Sequence, residues 1–530
     1  MKREELGITI RLYDRTLPLR KYPHSLTEIM EITAHAVPER TGLIYEQEFI
    51  GFATLLERMK RVASFLRDRG IQPGDRIALQ VDNRPEFAYI TGGVLMSGAV
   101  LVAVNVMYLE DEIRYILQNS GARMLFTIEV LAGRALAVRG DVPALEDVIV
   151  IGGSRPGCTP FEAVASCATE NEIRYPHGDD LALLQYTSGT TGRPKGAMLT
   201  HKNVVSCLDM MANVKQSRLK EGDVVLLVLP LFHCYGLILG LFGCTTFGST
   251  TVLVNRFDPV EIFRLFEKHR VTVFYGAPPM YVGFVNTPGL DKFDISSLDR
   301  CGSGAAPLPV AVLERFRQLT GVEITEGYGL TESSPTICTN ANAEACRPGT
   351  VGKALPRVEV RIVDNDGRDV APGEVGELVA RGDNIFVGYW NNEPATREAL
   401  RDGWFYTGDM ARIDENGYFS IVDRKKDMVI VSGYNVYPVE VENELFRHAG
   451  IADAAVIGVP DPYQGESVMA VIVPRAGANL TEEEVIGFLK ARLATFKVPK
   501  HVAFVDSLPK NRTGKVLKRV LREQFRQVDA

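Results

Sequence analysis

The chain has few cysteines, and none is paired at the spacing of a metal or redox motif. Its 530 residues include eight cysteines, without a C-x-x-C motif and without a nearby histidine pair at ligand spacing. A zinc site or thioredoxin-like chemistry therefore has little support. A chain of this length buries enough apolar surface to fold without disulfide bonds. Scattered thiols of this kind are typical of a reduced, cytoplasmic enzyme.

The sequence also has no excess of positive charge and no uninterrupted apolar span. Its formal net charge of −7 argues against bulk binding of nucleic acid. No apolar segment follows the charged residues 1–5, so a secretory signal is not expected. Residues 224–255 carry no charged side chain, but Pro230 and several glycines interrupt them. This run predicts strand, loop, buried helix and strand, without a transmembrane segment. The sequence leaves two questions open, whether the protein associates with membranes peripherally and whether it forms a homodimer.

Short apolar strands alternate with helical patterns along most of the chain. Strand patterns at 75–81, 225–229 and 271–275 and helix patterns at 85–95 and 260–269 predict an α/β fold with parallel sheets. After about residue 351 the pattern changes to glycine-punctuated alternating strands, which predicts a small antiparallel module. The last hundred residues alternate on a smaller scale. We expect an N-terminal domain over 1–424, with a β-rich part at 351–424, a junction at 425–427, and a C-terminal α+β domain over 428–530.

Residues 186–196, Tyr-Thr-Ser-Gly-Thr-Thr-Gly-Arg-Pro-Lys-Gly, have the composition of a phosphate-binding loop. Glycine leaves backbone N–H groups accessible, threonine and serine add donors, and lysine adds charge. A helix capped by Thr200 is expected to follow, from 201 to about 213. The segment is not a Walker A loop, because Pro194 stands where that motif has glycine, which disfavours a kinase or P-loop ATPase. The candidate phosphate ligands are Thr187, Ser188, Gly189, Thr190, Thr191, Gly192 and Lys195.

The segment at 186–196 resembles the phosphate-binding signature of the adenylate-forming superfamily. That superfamily contains acyl-CoA synthetases, adenylation domains of peptide synthetases and firefly luciferase. The resemblance extends from about residue 25 to the end of the chain, with several further motifs in the family's order. Segments 422–427 (Val-Asp-Arg-Lys-Lys-Asp) and 432–438 (Ser-Gly-Tyr-Asn-Val-Tyr-Pro) are most similar to long- or medium-chain fatty-acid–CoA ligases.

Three further motifs imply the rest of a nucleotide site. The side-chain-poor run 302–307 would let a flat base lie against the main chain, and 406–409 resembles the ribose motif. In 327–332, the family's pattern implies a tyrosine stacked on adenine, Thr331 on the α-phosphate and Glu332 on Mg²⁺, a hard cation that binds carboxylate and phosphate oxygens. Taken singly, these motifs are as well explained by glycine turns, a helix start or a surface ion pair. The implied nucleotide-binding residues are Gly304, Ala305, Ala306, Gly327, Tyr328, Gly329, Asp409 and Arg424.

The resemblance also assigns residues around and beyond the junction. Lys515, at the end of the loop 509–515, is the implied catalytic lysine of the first half-reaction, together with Thr331 and Glu332. Asn511 stands where many relatives have threonine, and it can make the same kind of turn hydrogen bond. Lys426 falls at the family's hinge position. Gly433 is expected to line the tunnel for the pantetheine arm of coenzyme A.

The acid site is implied by residues 229–236, which resemble the segment that carries the family's aromatic gate. His233 is the expected gate residue, and a buried, hydrogen-bonded core histidine is the alternative. Tyr235 and Gly302 complete the implied acid-binding set. The segments 233–240, 277–281, 301–303, 327–329 and 333–336 contain no Asp, Lys or Arg. An apolar acid is therefore expected rather than an amino acid or dicarboxylate, with fatty acids first and aryl or cinnamate-type acids second.

These residues predict an ATP- and Mg²⁺-dependent acid–CoA ligase. The carboxylic acid would be activated as acyl-AMP with release of pyrophosphate and then transferred to coenzyme A. One alternative keeps adenylation without coenzyme A, as in an acyl-AMP ligase that loads a carrier protein or a luciferase-like enzyme. A non-enzymatic nucleotide-binding regulator is disfavoured because Lys515, Glu332 and the phosphate-binding segment are all present. The expected partners are small molecules, with no nucleic acid.

Overall fold

The structure is a computed structural model that describes residues 10–12, 15–17, 25–169, 174–187, 193–214, 219–220, 222–461, 463–511 and 514–525. It has the predicted α/β fold, with two large sheets that are mainly parallel, a smaller antiparallel sheet and a separate C-terminal unit. Near the start, Ile10–Leu12 and Arg15–Leu17 form a two-stranded antiparallel ribbon.

The first large sheet has seven strands and carries the predicted phosphate-binding segment at one edge. All neighbouring strands are parallel except the first two, which pair in antiparallel register. Most of its strands are buried aliphatic runs, as expected of parallel strands covered on both faces. In spatial order the strands are Lys195–Thr200, Leu181–Thr187, Val100–Ala103, Arg76–Gln80, Met124–Ile128, Asp147–Ile151 and Thr159–Pro160.

The second large sheet has nine strands and is parallel through its centre. In spatial order they are Lys353–Ala354, Cys338–Thr339, Ile324–Tyr328, Arg300–Ser303, Val273–Gly276, Val224–Leu227, Thr250–Leu253, Thr41–Tyr45 and Glu48–Gly51. The carboxyl ends of parallel strands meet at one edge, where ligands of α/β proteins usually bind. Here that edge carries the segments that follow residues 303 and 328.

The uncharged run at 224–255 is confirmed as strand, loop, buried helix and strand. A π-helix, Tyr235–Phe242, continues as the α-helix Gly243–Phe247 between two strands of the second sheet. Within the described ranges, no helix combines the length and the apolarity that a bilayer crossing would require.

Besides the helix Gly243–Phe247, ten α-helices in the described ranges accompany the two large sheets, and their ends follow local signals. The predicted Thr200 cap is confirmed, since its hydroxyl accepts a hydrogen bond from the Asn203 amide at 3.1 Å. The strand predicted at 271–275 begins two residues later, because the Val271 amide closes the preceding helix on the Phe266 carbonyl. The helices are Leu26–Ala36, Phe52–Asp68, Pro85–Met96, Glu110–Ser120, Glu129–Arg139, Glu162–Ala165, His201–Ala212, Pro259–His269, Pro278–Asn286 and Val310–Thr320; short 3₁₀ turns are Leu290–Lys292, Thr331–Ser333 and Asn340–Asn342.

The predicted antiparallel module is confirmed as a five-stranded sheet with one helix, Glu393–Ala399. Its longest strand, Trp404–Ile413, pairs with three neighbours and carries the predicted ribose motif. The strands are Glu359–Val363, Gly376–Arg381, Leu400–Arg401, Trp404–Ile413 and Phe419–Arg424.

The C-terminal unit is the expected α+β structure with its own apolar cores on both faces of a five-stranded sheet. The helix predicted over 482–493 ends at Lys490. The chain turns there, because the Arg492 amide donates a hydrogen bond to the Leu489 carbonyl. The division at 425–427 stays a prediction. The strands are Val429–Val431, Tyr434–Val436, Ile451–Asp461, Gly465–Pro474 and His501–Phe504; the helices are Pro438–Leu445, Glu482–Lys490 and Lys518–Gln524, with a 3₁₀ turn at Thr495–Lys497.

Candidate active site

Two parallel strands bring the predicted adenine segments to the same sheet edge. Arg300–Ser303 and Ile324–Tyr328 pair in register, with Gly304 and Gly327 at their ends. A Cβ atom on Gly304 would lie 3.2 Å from the Tyr235 ring and 3.6 Å from the Gly327 carbonyl. Ala305 has a φ of 72°, so the backbone turns sharply here. Because glycine and alanine occupy these positions, few side-chain atoms lie along this edge. A flat ring could therefore approach the main chain there.

The predicted ribose residues meet beside this edge. The Tyr328 hydroxyl donates to Asp409 Oδ2 at 2.7 Å, and Arg424 Nε lies 3.7 Å from Asp409 Oδ1. Asp409 and Arg424 are register partners on adjacent strands, which fixes their proximity. Burial raises the pKa of Asp409, and the Arg424 charge opposes that shift. Burial and Asp409 together raise the pKa of Tyr328 well above its ordinary value, so its hydroxyl keeps the proton that it donates.

Glu332 lies on a 3₁₀ turn and has a hydrogen-bond partner that sequence reasoning missed. The Tyr389 hydroxyl donates to Glu332 Oε1 at 2.8 Å, and Lys195 Nζ lies 5.1 Å from the centre of the Tyr389 ring. Burial raises the pKa of Glu332, and the Tyr389 hydrogen bond opposes that shift. Thr331 Oγ1 lies 3.3 Å from the Cys234 sulfur. Tyr389 belongs to an apolar segment, 385–390, and nothing in its sequence indicates a site residue.

The donor set around Glu332 suits a magnesium ion that arrives with a nucleotide. In the part of the chain that the structure describes, no three His, Cys, Asp or Glu side chains cluster as a metal cage. A single buried carboxylate beside a hydroxyl and a lysine is too small a set to hold a cation alone. Mg²⁺ is commonly bound by one or two carboxylates with phosphate oxygens and waters as its remaining ligands. Glu332 therefore fits a Mg²⁺–nucleotide complex rather than a resident metal.

The loop that carries Lys515 packs against the N-terminal part of the chain. A Cβ atom on Gly514 would lie 2.4 Å from the Pro279 side chain, at the start of the helix Pro278–Asn286. Burial, followed by the Arg424 charge, lowers the pKa of Lys515 to about 7, and Asp409 opposes the shift. The Lys515 charge in turn helps to lower the pKa of His233. The ammonium group is thus within electrostatic reach of both the ribose residues and the predicted gate.

The predicted acid-binding residues form an uncharged, tyrosine-lined region. The Tyr235 amide donates to His233 Nδ1 at 3.3 Å, and the Tyr281 hydroxyl donates to the Gly302 carbonyl at 2.7 Å. A Cβ atom on Gly302 would lie 3.0 Å from the Tyr275 ring and 3.6 Å from the Tyr235 hydroxyl. Burial, with the Lys515 charge, lowers the pKa of His233 to about 4, so its imidazole is neutral at neutral pH.

Glu326 is a second buried residue that the sequence motifs did not indicate. It is the register partner of Ser303, and its Oε1 accepts from the Leu308 amide at 3.3 Å. Among the described residues its Oε2 has no hydrogen-bond partner. Burial raises the pKa of Glu326 to about 8, so it is mostly protonated at neutral pH. Its hydrogen bond to the Leu308 amide holds the 304–308 turn beside the predicted adenine edge.

The structure does not bring every predicted site residue to this region. Gly433 lies on an exposed turn with a φ of 84°, and no atom lies within 4 Å of a Cβ built on it. Lys426 is solvent-exposed, and partial desolvation and the Arg424 charge lower its pKa. Thr187 and Lys195 pair at the base of the hairpin, where the Thr187 hydroxyl donates to the Lys195 carbonyl at 3.4 Å. Ser188, Gly189, Thr190, Thr191 and Gly192 lie outside the described residues.

Comparison with known proteins gives matches along nearly the whole chain. The family model described as AMP-binding enzyme matches residues 30–390, and the model described as AMP-binding enzyme C-terminal domain matches residues 440–515. A long-chain-fatty-acid–CoA ligase of Bacillus subtilis is 36% identical, with 94% of each chain covered. A feruloyl-CoA synthase of Amycolatopsis is 37% identical, over 93% of this chain and 97% of that protein. ATP-bound MatB from Rhodopseudomonas palustris superposes with a TM-score of 0.89 at 33% identity, covering 95% of this chain and 99% of its own.

Proposed function

Since this chain belongs to the AMP-binding enzyme family and is an acid–CoA ligase, we propose that its substrate is a long- or medium-chain fatty acid. The enzyme would convert this acid to acyl-AMP with ATP and Mg²⁺, release pyrophosphate, and then form the acyl-CoA thioester. The observation that carries the proposal is the uncharged region formed by His233, Tyr235, Tyr275 and Tyr281. A buried acid tail with a second charge would find no partner there, and an unpaired buried charge is strongly unfavourable.

A second candidate substrate is an aryl or cinnamate-type acid. Tyr235 and Tyr275 have ring centres 6.2 Å apart with planes tilted by 52°, a geometry in which aromatic rings attract each other. An aromatic acid could extend this pair. The similarity to a feruloyl-CoA synthase favours the same class.

The first half-reaction needs charge neutralisation more than proton transfer. The acid is ionised at neutral pH, so no general base is required. One carboxylate oxygen would attack the α-phosphorus in line; the new phosphorus–oxygen bond forms as the bond to pyrophosphate breaks. Two anions must approach each other, so groups that lower the local negative charge determine the barrier. Lys515 and Thr331 would contact the phosphoryl oxygens at this stage.

The other residues would hold the nucleotide in place. Asp409 would accept hydrogen bonds from the ribose hydroxyls, with Arg424 beside it, and the Tyr328 ring would cover the adenine. Glu332 would hold Mg²⁺, which when bound supplies positive charge at the phosphoryl oxygens. The 187–195 segment would surround the terminal phosphates. Neutral His233 would separate the apolar acid site from the charged nucleotide site.

The second half-reaction requires access to the carbonyl carbon of the acyl-adenylate. The sulfur of coenzyme A attacks that carbon and loses its proton to solvent; the thioester bond forms as the carbon–oxygen bond to AMP breaks, and AMP leaves with the bonding electrons. Lys515 would obstruct this approach, so the C-terminal unit would turn about Lys426 and bring the Gly433 turn to the site. The exposed position of that turn supports such an exchange.

The experiment that tests the proposal is a panel of acids incubated with ATP, Mg²⁺ and coenzyme A. The panel contains short-, medium- and long-chain fatty acids, cinnamates, a dicarboxylate and an amino acid, and AMP and thioester are both measured. We expect AMP and thioester in equal amounts with fatty acids and neither with the dicarboxylate. AMP release without consumption of coenzyme A would favour carrier loading, and ADP as the spent nucleotide would exclude the mechanism. Preference for cinnamates would select the second candidate.

A further inference from the structure

Asp423 is a buried carboxylate, 5% exposed, that lies just before the predicted hinge. Its Oδ1 accepts from the Arg424 amide at 2.7 Å, and its Oδ2 accepts from the Val439 amide at 3.1 Å. Asp423 precedes Lys426 in the chain and Val439 follows it. The second hydrogen bond therefore joins the antiparallel module to the C-terminal unit across the hinge.

The Val439 amide belongs to the first turn of the helix Pro438–Leu445. Amides in a first turn have no partner within their own helix and normally bond a side chain just before it. Here the preceding residue, Tyr437, provides no side-chain cap. The carboxylate of Asp423 takes this role from the other side of the hinge, and its negative charge suits the positive end of the helix dipole.

The Asp423 charge also acts on an ion pair that lies within the C-terminal unit. The Lys518 ammonium lies 2.9 Å from Glu442 Oε1, and Glu442 is on the same helix as Val439. Burial alone would lower the pKa of Lys518, but the charges of Glu442 and Asp423 raise it above its ordinary value. Asp423 therefore faces both a helix end and a cation of the C-terminal unit.

We propose that Asp423 is a positioning residue that selects the orientation in which Lys515 reaches the nucleotide site. This proposal rests on the two-step function proposed above. When the C-terminal unit turns about Lys426, the Val439 amide leaves Asp423, and both groups lose a buried partner. The bond thus favours adenylation over thioester formation by stabilising one orientation, while its neighbour Arg424 stays beside Asp409.

The test compares the two half-reactions in full-length Asp423→Ala. Adenylation is measured as acid-dependent exchange of pyrophosphate into ATP, and thioester formation is measured from supplied acyl-adenylate and coenzyme A. We expect the ratio of the first rate to the second to fall about fivefold, which corresponds to the ~1 kcal/mol of a helix cap. Asp423→Asn keeps one oxygen acceptor and should give an intermediate ratio.

Thr481→Ala is the matched control. The Thr481 hydroxyl accepts from the Glu484 amide at 3.2 Å and caps the helix Glu482–Lys490 within the C-terminal unit, without crossing the hinge. Its loss should lower stability to a similar extent and leave the ratio unchanged. An equal loss of both half-reactions in Asp423→Ala, or the same change of ratio in Thr481→Ala, would overturn the proposal.

Amide hydrogen exchange separates this proposal from the proposed function, because it needs no catalysis. In Asp423→Asn, the loop around Gly514 should exchange at least threefold faster than in the unsubstituted protein, since its contact with Pro279 is lost more often. In Thr481→Ala it should not change. An unchanged loop in a folded Asp423→Asn protein would refute the positioning role. Absence of both half-reactions from the unsubstituted enzyme, with this exchange pattern intact, would refute only the function.

Discussion

Burial shifts the pKa values of four ionisable groups of the candidate site, and in each case it favours the neutral form. It lowers the pKa of Lys515 and of His233, and it raises the pKa of Glu332 and of Asp409. The shift keeps His233 neutral at neutral pH, which suits the acid site. The same effect makes the Lys515 ammonium lose its proton near neutral pH. A reaction step that needs this charge therefore depends on pH in the neutral range.

We predict that kcat/KM for ATP in adenylation falls as the pH rises through about 7. The charged ammonium is the active form, it is fully present below the pKa of Lys515, and it is lost above it. The measurement is pyrophosphate exchange at limiting ATP between pH 6 and pH 9, since kcat/KM reports the free enzyme. Lys515→Arg keeps its charge in this range and should remove the decline from whatever activity it retains. A decline of the same midpoint in that variant would assign the titration to another group.

Tyr389 is predicted to modulate the pKa of Glu332, the carboxylate proposed to hold magnesium. Its hydroxyl favours the ionised form of Glu332, and a hydrogen bond to a charged group contributes about 1.5 kcal/mol or more. In Tyr389→Phe, the pKa of Glu332 should therefore rise, because the ionised carboxylate loses this hydrogen-bond donor. The Mg²⁺ concentration for half-maximal adenylation should rise, and more so at acidic pH. The readout is a Mg²⁺ titration at several pH values.

Tyr418→Phe provides the control for this change. Its buried hydroxyl donates to the Ala345 carbonyl at 3.0 Å, away from Glu332. It should cost similar stability and leave the Mg²⁺ requirement as it is. Equal Mg²⁺ curves for Tyr389→Phe and the unsubstituted enzyme would contradict the predicted role.

The turn after the strand Ile324–Tyr328 depends on the absence of one side chain. A Cβ atom on Gly329 would lie 1.9 Å from the Pro335 carbonyl, whereas one on Gly327 would lie 3.6 Å from the Cys338 carbonyl. Gly329→Ala should therefore force the backbone apart and destabilise the protein by about 2 kcal/mol. Gly327→Ala should have little effect on stability. Thermal unfolding of the two variants measures the difference, and equal Tm values would show that the turn adapts without cost.

Local motifs predict the architecture well because each depends on residues that are neighbours in sequence. The strand and helix patterns follow from periodicity, and the Thr200 cap follows from one hydroxyl before a helix. The predicted ribose residues, Asp409 and Arg424, belong to two separate motifs, and only the strand register brings them together. The fold class and the antiparallel module were predicted for the same reason.

The residues that were missed act through contacts between distant segments. Tyr389 reaches Glu332 over 57 positions of sequence, and the Asp423 carboxylate accepts from a helix amide 16 positions further along the chain. The sequence indicates nothing special about Glu326 beyond its position before Gly327. Its burial depends on the elements that cover the second sheet. Neither composition nor periodicity contains this information. Ends of strands and helices, such as Val273 and Lys490, likewise depend on which amide closes the previous turn.

Across the three units, the chain divides its proposed chemistry between parts that fold around separate cores. The proposed nucleotide and acid residues lie on the N-terminal sheets and the antiparallel module, while Lys515 comes from the C-terminal unit. The superposition on ATP-bound MatB covers 95% of the chain and so includes both of these parts. Lys515 is therefore expected to matter for only one of the two half-reactions.

We predict that Lys515→Ala abolishes acid-dependent pyrophosphate exchange and spares thioester formation from supplied acyl-adenylate. The first step loses a positive charge at the phosphoryl group, which typically costs a factor of about 10² to 10³. The second step does not use that charge. Both rates are measured in the same preparation, with Lys510→Ala as a control in the same loop whose ammonium pairs with Asp453. Equal loss of both rates in Lys515→Ala would defeat the assignment.

Lys515 is half-buried among the N-terminal residues, while the Gly433 turn of the same unit faces solvent. Under the proposed mechanism one molecule can therefore present only one of them to the acyl group at a time. In each catalytic cycle the C-terminal unit then rotates from one orientation to the other and back. Solvent friction opposes both rotations. Added sucrose or glycerol should slow complete turnover in proportion to viscosity wherever a rotation limits the rate, and it should leave pyrophosphate exchange, which needs none, nearly unchanged.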